Sequence, residues 1–210
     1  MITVELDNTG KKFGREWIFR NLSLNIQPGE RLVILGGNGS GKSTLLQMIA
    51  GYVTPNEGKV VYQREKKPIE EEERHRYLSF VSPYLLLPED YTGQELTEHL
   101  GRYKPWIREL QATDILKIAE LAPASHKLIK NYSSGMKQRL KLALAFFADT
   151  PLLLLDEPLS NLDNNAVLWY HKMIEDYSAN RTIIVCSNAV ESEYRFCNRS
   201  VKVTDYRTGN

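Results

Sequence analysis

The sequence predicts an α/β domain with a largely parallel core sheet, and three observations predict it. Arg31–Leu35 (RLVIL) is a short, β-rich apolar run, followed at once by glycines and then by a helical pattern over Lys42–Ala50 that Gly51 ends. Leu152–Leu155 and Thr182–Cys186 are two further apolar runs without alternation, the pattern of strands covered on both faces. Helix-period stretches lie between these runs, so strands and helices alternate along the chain.

The remaining elements follow in order. Ile2–Leu6 reads as a strand with Ile2, Val4 and Leu6 on one face, and Trp17–Ile26 as a second with Leu22, Leu24 and Ile26 aligned. Pro28-Gly29 marks a turn. Lys59–Tyr62 and Leu78–Val81 are short strand candidates. Glu70–Arg76 (EEEERHR) reads as a solvated helical surface with Glu70–Arg74 and Glu72–Arg76 as i,i+4 pairs. From Gly93 to about Ala122 the pattern is helical, and Gly135–Ala148 is a strong helix.

Composition narrows the function. A chain of 210 residues suits one well-buried domain, with room for an inserted subdomain. Lys plus Arg number 27 against 26 Asp plus Glu, a net +1, so no charge excess points to nucleic acid. Cys186 and Cys197 lie outside any metal-ligand spacing and read as reduced thiols. The N-terminus lacks a signal-peptide pattern, and the longest apolar run, around Pro151–Leu155, is far below the roughly 20 residues a membrane span needs. Any work on a membrane would require another protein to supply the span.

The strongest signal is Gly36-Gly37-Asn38-Gly39-Ser40-Gly41-Lys42-Ser43, which fits G-x-x-x-x-G-K-[ST] between the strand and the helix that the motif requires. Glycines let backbone N–H groups turn inward around a phosphate, and the helix that runs on through Thr44 adds its N-terminal partial positive charge. Lys42 can reach the β and γ phosphates of ATP, and the Ser43 hydroxyl can ligate Mg²⁺. Such a loop needs a carboxylate at the end of a neighbouring strand. Leu152–Leu155 runs into Asp156, suited to the metal, and Glu157, placed to polarise an attacking water.

With these motifs in place, the sequence resembles the ATP-binding cassette (ABC) ATPases over almost its whole length. Tyr132-Ser133-Ser134-Gly135-Met136-Lys137-Gln138-Arg139 looks like the family's signature motif, commonly LSGGQ, opening a helix, and Ser160-Asn161-Leu162-Asp163 like its D-loop. Phe13, after Lys12 and before Gly14, stands where the family keeps an aromatic for adenine, with Trp17 as a rival. The implied fold is a P-loop NTPase core with a mostly parallel sheet, an N-terminal antiparallel β-subdomain and an inserted α-helical subdomain. The core would cover 1–82 and 136–210, and the insertion about 83–135. The resemblance also implies a head-to-tail homodimer or heterodimer, with each ATP between one P-loop and the other subunit's Ser134-Gly135 region, and it adds Ser133 and Asp163 to the nucleotide-binding residues. A separately encoded membrane permease would be the partner, on the cytoplasmic face of a membrane. The short chain fits a small exporter-type system; a soluble non-transport ABC ATPase and a nucleotide-binding regulator are the alternatives.

Four positions depart from the family pattern. Pro83 stands at the Q-loop glutamine and offers no side-chain ligand. Asn188 stands at the switch histidine, where it can donate a hydrogen bond to a γ-phosphate in a catalytic role but cannot carry a proton. Ser134 and Met136 replace the usual Gly and Gln of the signature. These changes imply slow hydrolysis more than lost binding. The apolar stretch Tyr84–Leu87 has two readings, core of the helical subdomain or a dock for a membrane subunit.

Overall fold

A computed structural model describes residues 2–207. The alternating start of the chain forms strand β1 (Ile2–Phe13), more than twice the expected length. Asp7-Asn8-Thr9 breaks the alternation and hides the continuation. The structure absorbs this break with register shifts against β2 (Glu16–Ile26) and with left-handed Asn8 (φ 49°) and Asn21 (φ 56°). Asn8 N–H donates to Ser23 Oγ at 3.0 Å, and the Thr9 hydroxyl donates to the Leu22 carbonyl at 2.9 Å, which closes the irregular stretch. Strands β4 (Glu57–Arg64) and β5 (Lys67–Ile69) complete an antiparallel sheet in the order β2-β1-β4-β5.

The second sheet contains β3 (Arg31–Leu35), β6 (Leu78–Val81), β7 (Leu152–Asp156), β8 (Thr182–Ser187) and β9 (Arg199–Lys202). Its order is β6-β7-β8-β3-β9, and β7–β8, β8–β3 and β3–β9 all pair in parallel. Every residue of β7 and β8 is buried, which explains their unbroken apolar runs. The order has one consequence for chemistry. The carboxyl ends of β7, β8 and β3 lie side by side at one edge, where ligands of open parallel sheets bind. Helix α1 (Lys42–Ala50) leaves β3 at that edge and buries Leu45, Leu46, Met48 and Ile49.

The chain divides into two compact units. The first holds both sheets and α1, gathering the chain up to Phe80, Pro151–Glu157 and the chain from Asn180 on. The second, Val81–Thr150 with Pro158–Ala179, contains α2 (Gly93–Gly101), α3 (Ala112–Ile118), α4 (Ser134–Phe147) and α5 (Asn164–Tyr177). It therefore includes the segment expected as an insertion, 83–135, and also α4 and α5, because α4 packs against α3 and α5. Thr92 starts α2 with a capping box, its hydroxyl accepting from Glu95 N–H at 3.1 Å while Glu95 accepts from Thr92 N–H at 2.8 Å.

Two expectations change here. Glu71–Arg76 is a 3₁₀ helix, not an α-helical face, so its ion pairs are i,i+3: Arg74 with Glu71 at 3.2 Å and Arg76 with Glu73 at 3.4 Å. At three residues per turn, side chains three apart eclipse, and the i,i+4 pairs cannot form. The second is the choice left open at Tyr84–Leu87: Tyr84 is 83% and Leu86 90% exposed, which removes the core reading for these two, while Leu87 is half-buried. Cys186 and Cys197 are free thiols, both shifted up by burial, Cys197 to about 12, so neither is a ready nucleophile.

Candidate nucleotide site

The glycine loop of the first unit is shaped for a phosphate. Gly41 caps α1 at φ 99° with no side-chain capping bond, which leaves the first-turn amides, those of Ser43 and Thr44 included, open to anionic oxygen. A Cβ at Gly41 would collide with Ile18, and one at Gly36 with the Ser40 hydroxyl. The Ser40 Oγ is buried and makes no hydrogen bond within the described residues. A buried orphan hydroxyl in a loop of this shape fits a phosphate oxygen that would satisfy it. Gly37 and Gly39 have open space where a side chain would stand, and Asn38 lies exposed between them. Gly41→Ala should cost about 3 kcal/mol through backbone strain and overpacking. A chemical-denaturation midpoint unchanged from the wild type would contradict that.

Strands β7 and β8, which lie in order on one side of β3, bring the acidic and amide groups to the loop. Ser43 Oγ donates to Asp156 Oδ1 at 3.1 Å, so a hydroxyl and a carboxylate converge on one point. This all-oxygen pair suits a hard divalent cation completed by phosphate and water oxygens. Lys42 is 4% exposed; its ammonium donates to the Gly37 carbonyl at 3.0 Å and to Asn188 Oδ1 at 2.5 Å. Asn188 in turn donates from Nδ2 to Glu157 Oε1 at 2.7 Å. The amide thereby links the loop lysine to the carboxylate after β7, using its acceptor for one and its donor for the other. Glu157 sits at φ 43°, and its N–H bonds the Cys186 carbonyl at 3.0 Å, an arrangement that holds a strained backbone at the strand end.

The second unit holds the other polar cluster. Ser133 caps α4, its Oγ accepting from Met136 N–H at 3.2 Å. Asp163 caps α5, its Oδ1 accepting from Ala166 N–H at 2.8 Å. Together with Gly135, Asn161 and Arg139, these two caps line one cavity of about 410 Å³. Gly135 stands so close to the Asn161 carbonyl that an added Cβ would lie 3.1 Å from it. Ser134 opens α4 between them.

Residues 19–160 match the family model described as ABC transporter, which spans the strand, the loop, the signature helix and the acidic strand end. The chain belongs to the ABC transporter family. It is 30% identical over 203 residues to the Nod factor export ATP-binding protein I of Rhizobium johnstonii, covering 94% of this chain and 65% of that protein. It is 33% identical over 165 residues to the Fe(3+) ions import ATP-binding protein FbpC of Photorhabdus laumondii, covering 77% and 47%. The chain thus spans less than two thirds of the length of these relatives. Among solved structures, the ATP-binding cassette MJ0796, a dimer bound to ADP and Pi, aligns with a TM-score of 0.82 at 25% identity over 99% of this chain and 97% of that one. A bacterial Atm1-family ABC exporter aligns at 0.82 and 21% identity over 100% and 38%, a likeness of fold. The expected α/β P-loop architecture, with a parallel and an antiparallel sheet, stands.

In this ABC chain the two candidate aromatics separate by environment. Lys12 and Phe13 are the last residues of β1, paired with Trp17 and Glu16. The two-residue turn is Gly14-Arg15, with Gly14 at φ 57°. Phe13 is 55% exposed, with the Lys11 ammonium 5.2 Å from its ring centroid. Trp17 is partly buried, with Lys12 at 5.2 Å and Arg20 at 4.7 Å from its ring and Gly10 packed so closely that a Cβ there would touch it at 3.0 Å. Trp17 is a packing residue, and Phe13 is the open ring.

Sequence reasoning missed Lys141 and assigned no contact to Gln138. Both lie on the buried side of α4 and donate to backbone carbonyls, Gln138 Nε2 to Pro158 at 2.9 Å and Lys141 Nζ to Ser82 at 3.0 Å and Pro83 at 3.2 Å. The signal was available: a lysine inside the apolar run Leu140–Phe147, three residues after a glutamine.

Proposed function

We propose that this chain is the ATP-binding and ATP-hydrolysing subunit of an ABC transporter, of small exporter type, working through ATP-driven closure of a dimer. The observation that carries the reading is the Lys42–Asn188–Glu157 chain of hydrogen bonds beside the phosphate loop. It joins a cation for the phosphates to a carboxylate for the attacking water. Gly36–Ser43 would cradle the phosphates, Phe13 would stack on adenine, and Asp156 and Ser43 would hold Mg²⁺, which supplies charge neutralisation at the phosphate oxygens. Glu157 would polarise the water and Asn188 would orient it. Ser134, Gly135 and the cavity bearing Ser133 and Asp163 would meet the nucleotide of a second subunit. Export is supported by the likeness to the Nod factor export ATP-binding protein over 94% of the chain.

No helix among the described residues is long and apolar enough to cross a membrane. A permease encoded separately would supply the span, with this subunit peripheral on the cytoplasmic face. The exposed Tyr84, Leu85 and Leu86 would be its dock.

Purified protein should release phosphate from ATP only with Mg²⁺, alone or with its membrane partner. Asn188→Ala should lower kcat about tenfold, less than the roughly hundredfold or more that a proton-transferring group supplies because the amide orients without carrying a proton, with KM for ATP nearly unchanged. Absence of Mg²⁺-dependent release under both conditions sinks the hydrolase reading and leaves a nucleotide-binding regulator.

A further inference from the structure

Helix α4 (Ser134–Phe147) carries a lysine where an apolar residue would pack. Lys141 is 7% exposed and, among the described residues, has no carboxylate within ion-pair distance. Burying an ammonium is unfavourable unless it is well hydrogen-bonded, and burial holds this amine below the ordinary lysine range. Its partners are two successive carbonyls, Ser82 at 3.0 Å and Pro83 at 3.2 Å, at the start of the loop that leaves β6. That loop is a tight turn in its own right: Leu85 N–H bonds the Ser82 carbonyl at 3.1 Å, and Tyr84 N–H bonds Ser82 Oγ at 3.3 Å. Pro83 fixes φ and has no N–H to give, so the turn lacks one backbone donor, and the lysine supplies donors from outside.

The same face of α4 makes a second such contact one turn earlier. Gln138 reaches the carbonyl of Pro158, the residue that follows Glu157 in the chain. Positions 134, 138 and 141 are spaced for one helix face. At its start the helix presents Ser134 and Gly135. Further along, the same face grips the backbone after the acidic strand end and the backbone after β6.

We propose that Lys141 is a positioning residue: its ammonium fastens the Ser82–Leu85 turn to α4, so that the signature end of the helix and this turn move as one piece during the ATP cycle. The inference rests on the functional reading above for its consequence in turnover, but the fastening itself does not need hydrolysis. Lys141→Met keeps the length and apolar stem and removes the donors, while Lys141→Arg keeps a cation with donors. The Met variant removes an ammonium whose burial is itself unfavourable, and the Ser82 carbonyl keeps its bond from Leu85 N–H, so the variant should fold.

Hydrogen exchange at the Tyr84 and Leu85 amides should rise at least tenfold in Lys141→Met, while exchange at the Leu45 amide in α1 stays as in the wild type. In the same variant kcat should fall about tenfold with KM for ATP within twofold, and Lys141→Arg should recover most of both. Unchanged exchange at Tyr84 and Leu85 overturns the proposal, as does exchange that rises equally at Leu45. A KM that rises as much as kcat falls also overturns it, since a merely structural role would do that. A wild type that releases no phosphate defeats the hydrolase reading and leaves the exchange test of Lys141 standing.

Discussion

Glu157→Gln is expected to lower phosphate release at least about a hundredfold, the range lost with a general base, while ATP affinity stays within a few fold. The substitution is close to isosteric. A glutamine Oε1 still accepts from Asn188 Nδ2, which lies 2.7 Å from Glu157 Oε1, so the amide bridge to Lys42 survives. The left-handed backbone at φ 43° is kept as well, because its N–H bond to the Cys186 carbonyl does not involve the side chain. What disappears is the charge that draws a proton from water. If ATP joins two subunits and hydrolysis parts them, this variant should accumulate as an ATP-bound dimer. Single-turnover phosphate release and sedimentation with ATP check the two halves of the prediction separately. Undiminished release removes Glu157 from the base role, and a protein that stays monomeric with ATP removes the dimer.

Lys42→Ala should weaken ATP binding about thirtyfold, since a charge-assisted hydrogen bond contributes about 2 kcal/mol. The side chain is 4% exposed and held by Gly37 and Asn188 at 3.0 and 2.5 Å, so its ammonium is already positioned at the loop before any phosphate arrives. Little ordering of the side chain is then required on binding, which makes its removal expensive. The fold should tolerate the change, because a buried ammonium contributes little to stability once desolvation is counted. Titration calorimetry with ATP and with adenosine distinguishes the effect: ATP should lose affinity and adenosine should not. Equal losses for both would mean that Lys42 shapes the pocket and does not contact phosphate.

Some features were legible in the chain because their chemistry is local. The loop Gly36–Ser43 and helix α1 are contiguous, so strand, glycines and helix start are written in one stretch. The caps Ser133 and Asp163 each bond an amide three residues on, at 3.2 and 2.8 Å, and such contacts depend on sequence spacing alone. β7 and β8 were visible because burial on both faces removes alternation. The second half of β1 was not, because its bulged polar residues are satisfied by Ser23 and by the Leu22 carbonyl on the partner strand. The acidic run was misread as an α-helical surface for a related reason: the same residues support i,i+3 or i,i+4 pairs, and the 3₁₀ geometry selected the first.

By itself the sequence determined that the chain has a glycine loop between a strand and a helix, an acidic strand end and a helix capped by Ser133, each a short run whose backbone geometry its own residues dictate. Only the tertiary structure decided that Asn188 joins Lys42 to Glu157, across separations of 146 and 31 residues. The strand order β7-β8-β3 is the reason, since it puts three strand ends at one edge. It also decided that Lys141 turns inward onto Ser82 and Pro83, 59 and 58 residues away. A lysine in an apolar helix run is neutral information until packing supplies the carbonyls that make its burial tolerable.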